Sequence, residues 1–259
     1  MNDLFSLAGK NILITGSAQG IGFLLATGLG KYGAQIIIND ITAERAELAV
    51  EKLHQEGIQA VAAPFNVTHK HEIDAAVEHI EKDIGPIDVL VNNAGAMTKA
   101  PFLDMAFDEW RKIFTVDVDG AFLCSQIAAR QMVKQGQGGR IINITSVHEH
   151  TPLPDASAYT AAKHALGGLT KAMALELVRH KILVNAVAPG AIATPMNGMD
   201  DSDVKPDAEP SIPLRRFGAT HEIASLVVWL CSEGANYTTG QSLIVDGGFM
   251  LANPQFNPE

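Results

Sequence analysis

The chain has 259 residues, 47% of them hydrophobic, which is enough to bury one sizeable core. Its 19 basic residues face 29 acidic ones, a net charge of -10, and no Lys/Arg cluster interrupts that balance, so neither nucleic acid nor an anionic membrane surface is expected as a partner. Cys124 and Cys231 both fall in helical patterns, which argues against a disulfide framework, and no run of eighteen apolar residues suggests a membrane span. With no basic and then apolar stretch in "MNDLFSLAGK", the expected setting is the cytoplasm.

In chain order, short β-branched runs alternate with longer segments of helical periodicity. The runs are "NILIT", "QIIIN", "AVAAPF", "DVLVN", "RIINI", "ILVNAVA" and "SLIVD". Alternation of this kind predicts a parallel sheet with crossover helices, and runs apolar throughout predict strands buried on both faces. The expectation is a single α/β domain, a seven-stranded parallel sheet covered by helices on both faces. The one clear shift of composition, Asn197 to Pro213, reads as a loop or lid, with its surroundings spanning about 191–216.

After the first strand come Gly16, Gly20 and Gly22, then a helical pattern despite further glycines. Such a loop lets backbone N–H groups approach an anion, and the helix N-terminus adds a favourable dipole. Gly16 would permit the turn, and Gly22 would let the helix pack closely on the sheet. The spacing is Gly-x-x-x-Gly-x-Gly, and a purely structural glycine turn remains an alternative at this point. Asp40 ends the second strand 18 residues after Gly22, close to where an acidic side chain meets the adenine ribose of a dinucleotide. Its charge would oppose a 2′-phosphate, so NAD(H) is preferred and NADP(H) remains possible, with nearby Arg45 softening the discrimination.

In the second half, Tyr159 and Lys163 lie four residues apart on one helix face. A cation there favours ionisation of the phenol, which makes Tyr159 a candidate acid and base beside a nicotinamide. Ser146 follows the fifth strand, 13 residues before Tyr159, where its hydroxyl can hold a substrate oxygen. In "VHEHTP", His148, Glu149 and His150 are possible metal ligands, but neighbouring side chains alternate sides and no further ligand pair follows, so no metal is expected. His148 and His150 are candidates for the substrate entrance, with solvent-exposed histidines as the alternative. Trp110 and Phe114 read as packing residues.

Ser146, Tyr159 and Lys163, with "NNAG" at Asn92 to Gly95 and the glycine loop, resemble the short-chain dehydrogenase/reductase family over essentially the whole chain. The resemblance implies a doubly wound, Rossmann-like sheet in order 3-2-1-4-5-6-7 within three α/β/α layers, oxidation of a secondary alcohol or reduction of a ketone, a homotetramer, and a cofactor site built from Gly16, Ser17, Gln19, Gly20, Ile21, Gly22, Asp40, Asn66, Val67, Asn93, Ala94, Gly95, Tyr159, Lys163, Pro189, Gly190, Ile192 and Thr194. In that family an asparagine commonly stands where this chain has Asp117, in a proton relay to the lysine, and an aspartate often stands where it has Asn66. A cofactor-binding scaffold without catalysis is the alternative outside enzymes. More closely, residues 1 to about 95 resemble bacterial gluconate 5-dehydrogenases (5-keto-D-gluconate 5-reductases), and residues about 96 to 259 resemble a different bacterial oxidoreductase of the family. This suggests a chimera whose first part supplies most dinucleotide binding and whose second part supplies the chemistry. The acidic lid would then disfavour a sugar acid, leaving a neutral alcohol or ketone as substrate and 5-ketogluconate as the alternative.

Overall fold

The computed structural model describes residues 4–194, 198–199 and 201–252. Seven strands form one parallel sheet: β1 (Asn11–Ile14), β2 (Gln35–Ile38), β3 (Ala60–Ala62), β4 (Val89–Asn92), β5 (Gly139–Ile144), β6 (Ile182–Pro189) and β7 (Ser242–Val245), in order β3-β2-β1-β4-β5-β6-β7. The expected order is therefore observed. β3 stops short of the predicted "AVAAPF" because Pro64 has no N–H to donate, although Ala63 N still reaches Ile38 O at 2.8 Å.

The described residues form seven α-helices: α1 (Gly20–Lys31), α2 (Ala43–Gln55), α3 (Lys70–Asp83), α4 (Phe107–Phe114), α5 (Ala121–Gln135), α6 (Ser157–Leu177) and α7 (Thr220–Cys231), of which all but α4 pack on the sheet. Alternate residues of one strand serve opposite faces. Ile12 and Ile14 join a core with Leu25, Leu29, Leu53 and Val227, whereas Leu13 joins one with Ile73, Ile80, Ile127 and Met132. Helices α1, α2 and α7 thus lie on one face, with α3, α5 and α6 on the other. Each fully buried Ile or Leu contributes about 1.5–3 kcal/mol, which is why continuous apolar runs and not alternating ones specify this layered form. Helix α1 tolerates Gly30 because a Cβ there would lie 2.2 Å from Ile58 Cγ2.

The helix containing α4 does not end at Phe114. It passes through a π-type turn, Thr115–Gly120, directly into α5. Neighbouring Trp110 and Phe114 stack at 5.0 Å and pack beside Ile113, Ala158 and Ala162, as their spacing predicted. Between β1 and β4 the strand order reverses direction, so a crevice opens at the carboxyl ends of these strands. No helix among the described residues is long and apolar enough to cross a membrane.

Candidate active site

A cleft of about 910 Å³ runs along those carboxyl ends, from Asp40 at one extreme to Tyr159 at the other. At its centre the glycine loop is held by buried side chains. Gly16 adopts φ +60° and a Cβ on it would lie 2.9 Å from Ala94 Cα; on Gly22 it would lie 2.5 Å from Asn93 Nδ2. Gly16 N donates to Asn39 Oδ1 at 3.2 Å, and Asn39 Nδ2 donates to Ala63 O and Phe65 O at 3.2 and 3.0 Å. Asn93 Nδ2 donates to Thr15 O and Gly16 O at 2.9 and 3.0 Å, while Thr15 Oγ1 accepts from the backbone N of Asn93 and Ala94. These hydrogen bonds fix the loop's path, and no side chain caps the N-terminus of α1. Glycines that no Cβ can replace, together with uncapped helix amides opening on a cleft, fit the pyrophosphate of a dinucleotide.

At the far end Asp40 is buried, and its Oδ1 accepts from Thr42 N at 3.1 Å and from Arg45 Nε and Nη2 at 3.0 and 2.6 Å. The sequence placed Arg45 nearby; the fold puts its guanidinium on the carboxylate and along the cleft wall. Asn66 and Val67 also line this end, with Asn66 Oδ1 accepting from Thr68 N at 3.0 Å and from Thr68 Oγ1 at 2.9 Å.

Ser146, Tyr159 and Lys163 converge at the other end. Lys163 is 5% and Asp117 1% exposed, and their Nζ and Oδ2 lie 3.1 Å apart, an ion pair whose angles fall outside those of a hydrogen bond. Lys163 Nζ also donates to Ile144 O at 3.3 Å and stands 5.3 Å from the centroid of the Tyr159 ring. Asp117 Oδ1 accepts from Ala96 N at 2.7 Å. The π-type turn carries this carboxylate, a geometry that recurs at functional sites. Burial opposes the charge on Lys163, but Asp117 and then Tyr159 attract it, and the net effect holds the ammonium above its ordinary range. Ser146 Oγ accepts from His148 N at 3.2 Å, which leaves its own hydrogen available.

Gln19, Gly20, Ile21, Gly95, Pro189, Gly190, Ile192 and Thr194 line the cleft as the sequence suggested. Three candidates do not. Asp117 is buried and meets Lys163 instead of the cleft. Ser17 is buried beneath the loop, its Oγ donating to Ile14 O at 2.7 Å, because the turn at Gly16 points it into the protein. His150 faces away, its Nε2 lying 3.3 Å from Ser242 Oγ and 3.8 Å from Glu149 Oε2, since Val147–Glu149 form a 3-10 turn of three residues per turn, in which residues two apart do not share a face. His148 does line the cleft, edge-on to Tyr159 with ring centroids 6.3 Å apart. Among the described residues no three His, Cys, Asp or Glu side chains are placed to hold a metal ion.

Lys99 and Phe249 also border the cleft, and sequence reasoning missed both. Lys99, four residues after "NNAG", was discoverable as a lone cation beside a site motif; Phe249 had no local signal. Asp203, Asp207 and Glu209 of the lid do not line the cleft. Asp207 pairs with Arg215, and Glu209 Oε1 accepts from Ser211 Oγ at 2.6 Å. Acidic repulsion of an anionic substrate therefore finds no support in this arrangement, whereas Lys99 supplies a cation. Asn197 and Asp200 of the lid, and Pro195 and Met196 before it, lie outside the described residues.

A family model described as enoyl-(acyl carrier protein) reductase matches residues 16–250. The chain is 77% identical over 248 residues to the uncharacterized oxidoreductase YohF of Escherichia coli K12, covering 95% of this chain and 98% of the relative. It is 58% identical over 254 residues to the 5-keto-D-gluconate 5-reductase of the same organism, covering 97% of this chain and 100% of the relative. A crystal structure of acetoin dehydrogenase YohF from Salmonella typhimurium superposes with a TM-score of 0.88 at 65% identity, covering 96% of this chain and 98% of that one. These similarities run through position 95 without a break in coverage, so the division into two ancestries has no support.

Proposed function

Since the chain belongs to the short-chain dehydrogenase/reductase family, we propose that it interconverts a secondary alcohol and a ketone with Tyr159 as proton donor and acceptor, using NAD(H) in preference to NADP(H). The observation that carries this reading is the cluster Ser146–Tyr159–Lys163, with Asp117 paired to Lys163, at one end of a cleft whose centre is a hydrogen-bonded glycine cradle. When bound, the nicotinamide supplies or accepts the hydride. In the ketone direction Ser146 Oγ donates a hydrogen bond to the carbonyl oxygen, and Tyr159 Oη delivers the proton that oxygen takes up as its carbon gains the hydride. Lys163 favours the phenolate left behind, and Asp117 keeps Lys163 charged and in place. Residues 1–95 contribute most of the cofactor cradle and residues 96–259 the chemistry, within one domain.

Asp40 supports the cofactor preference by placing an acceptor and a negative charge where an adenine ribose would lie; its pairing with Arg45 keeps NADP(H) admissible. The name of the Salmonella relative supports a small neutral hydroxyketone as substrate. A second reading, 5-keto-D-gluconate, is favoured by Lys99, a cation available to a substrate carboxylate. Buried, unpaired Cys124 and Cys231 fit a reducing, cytoplasmic setting, and the assembly is read as a homotetramer. Initial rates at the nicotinamide absorbance, with both cofactors against both compounds, separate the substrate readings: a higher kcat/KM for 5-ketogluconate than for 3-hydroxybutan-2-one rejects the neutral one. Tyr159→Phe is expected to lower turnover at least about a hundredfold while NADH affinity changes little, because the ring packs alike but transfers no proton. Near-normal rates in that variant would remove Tyr159 from its role.

A further inference from the structure

We infer that His148 is a specificity-determining residue that accepts a hydrogen bond from a substrate hydroxyl on the carbon next to the reacting carbonyl. The inference rests on the oxidoreductase reading of the site and narrows its substrate class to α-hydroxyketones and the vicinal diols they yield.

The first observation is the tautomer that the surroundings impose. His148 Nδ1 lies 3.1 Å from Thr151 O. A carbonyl only accepts, so Nδ1 carries the proton and Nε2 of the neutral ring carries a lone pair. No described residue donates to Nε2, and it is not among the sealed, unpartnered polar atoms of the structure, so it remains reachable. Burial pushes the imidazole below its ordinary range, the Thr151 carbonyl opposes that in part, and the charge on Lys99 adds to it, so the ring is neutral at pH 7.

The second observation is position. The short turn after β5 fixes His148 two residues beyond Ser146, with its backbone N on Ser146 Oγ and its ring edge-to-face with Tyr159 at 6.3 Å. The imidazole is therefore a close neighbour of the two hydroxyls that hold the reacting oxygen.

The third is contrast of chemistry. Ser146 and Tyr159 offer hydrogens to the substrate, Lys99 is donor-only, and Val147, Leu153 and Met97 on the nearby walls are apolar. Nε2 is a lone-pair nitrogen in this donor-rich end. A second substrate oxygen satisfies it only when that oxygen bears a hydrogen, so a hydroxyl is accepted and a carbonyl or carboxylate oxygen is not. A plain ketone leaves the lone pair without a partner once water is displaced, which costs affinity.

The experiment compares 3-hydroxybutan-2-one with butan-2-one, which differ by that one hydroxyl, in the unmodified protein, His148→Phe and His148→Gln, with NADH binding by fluorescence as the check on folding. Phe keeps an aromatic edge against Tyr159 without an acceptor, and Gln restores an acceptor oxygen. The readout is the ratio of kcat/KM for the hydroxyketone to that for the ketone. It is expected to fall about tenfold in His148→Phe, mostly through KM, and to recover substantially in His148→Gln. A ratio unchanged in His148→Phe, or lowered equally in both variants, overturns the role of His148 while leaving the oxidoreductase reading standing. If the unmodified protein binds NADH but reduces neither compound, that reading falls and this inference with it.

Discussion

Asp117 is a carboxylate held out of water beside Lys163, and its two oxygens have separate partners. Oδ1 fixes the backbone at Ala96 and Oδ2 pairs with Lys163. Asp117→Asn preserves the first contact and removes the charge behind the second. Lys163 then loses the attraction that outweighs its burial, so it gives up its proton at lower pH, and the alkaline limb of the kcat/KM profile moves to lower pH with kcat reduced about tenfold. The sign for stability is the same. A raised ammonium contributes fully below its ordinary value of 10.5, and the contribution disappears as pH rises through the higher folded value. An unmoved alkaline limb would show that Asp117 does not govern Lys163. At the other end of the cleft, Asp40→Ala removes a ribose acceptor and a phosphate-repelling charge and frees Arg45 from its partner. The kcat/KM ratio for NADH over NADPH is expected to fall at least about tenfold. Equal use of both cofactors by the unmodified protein would contradict the premise.

At the scale of elements, the corner leading into α7 ties the segment after β6 back to the sheet. Gly218 N donates to Ala191 O at 2.9 Å, and Ala193 N donates to Gly218 O at 3.0 Å. Arg216 grips Glu222 at both oxygens, 2.8 Å each, while Glu222 Oε2 accepts from Ala219 N at 2.8 Å at the start of the helix. The Arg216 hydrogen bonds, against some burial and helped by Ala219 N, hold the Glu222 carboxyl at about 2, below its ordinary 4.5. A depressed carboxylate contributes fully above 4.5 and loses that contribution as pH falls toward 2. Glu222→Gln should lower Tm by about 2–4 °C at pH 7, equivalent to about 1 kcal/mol after allowing for solvent screening. Thermal melts should show the gap closing below pH 4.5; a gap that persists unchanged at pH 3 would mean that the charge is not its source.

For the whole molecule, the question is what covers the outer faces of α5 and α6. Phe122 and Val133 on α5 and Leu175 on α6 are exposed, Leu175 at 81%. Of the small residues on α6, Ala158 and Ala162 pack inside their own subunit against Ile113. Ala161 and Ala165 are half-buried and Gly168 is exposed with open space around it. That division leaves a small-residue surface fit for close helix approach between copies. Light scattering at micromolar concentration is expected to give a tetramer mass, and Leu175→Asp a smaller species, since a buried unpaired carboxylate is costly. A monomer mass for the unmodified chain would sink the proposal.

Local patterns in the sequence determined the parallel sheet, the glycine loop, Asp40, and the Tyr159–Lys163 pair, because each depends on backbone period or on spacing along the chain, whereas the strand order followed only from the family resemblance. Strands buried on both faces must be apolar throughout, and residues four apart on a helix share a face, so these features can be read without the rest of the chain. Tertiary structure alone decided which distant groups meet. It seated Asp117 on Lys163 through a π-type turn with no composition of its own, closed Arg45 onto Asp40, and brought Lys99 and Phe249 to the cleft. It also turned Ser17 and His150 away and kept Asp203, Asp207 and Glu209 off the cleft. Such outcomes depend on how packed elements orient side chains far apart in the chain, and a charge or hydroxyl carries no mark in the sequence of the direction it will finally face.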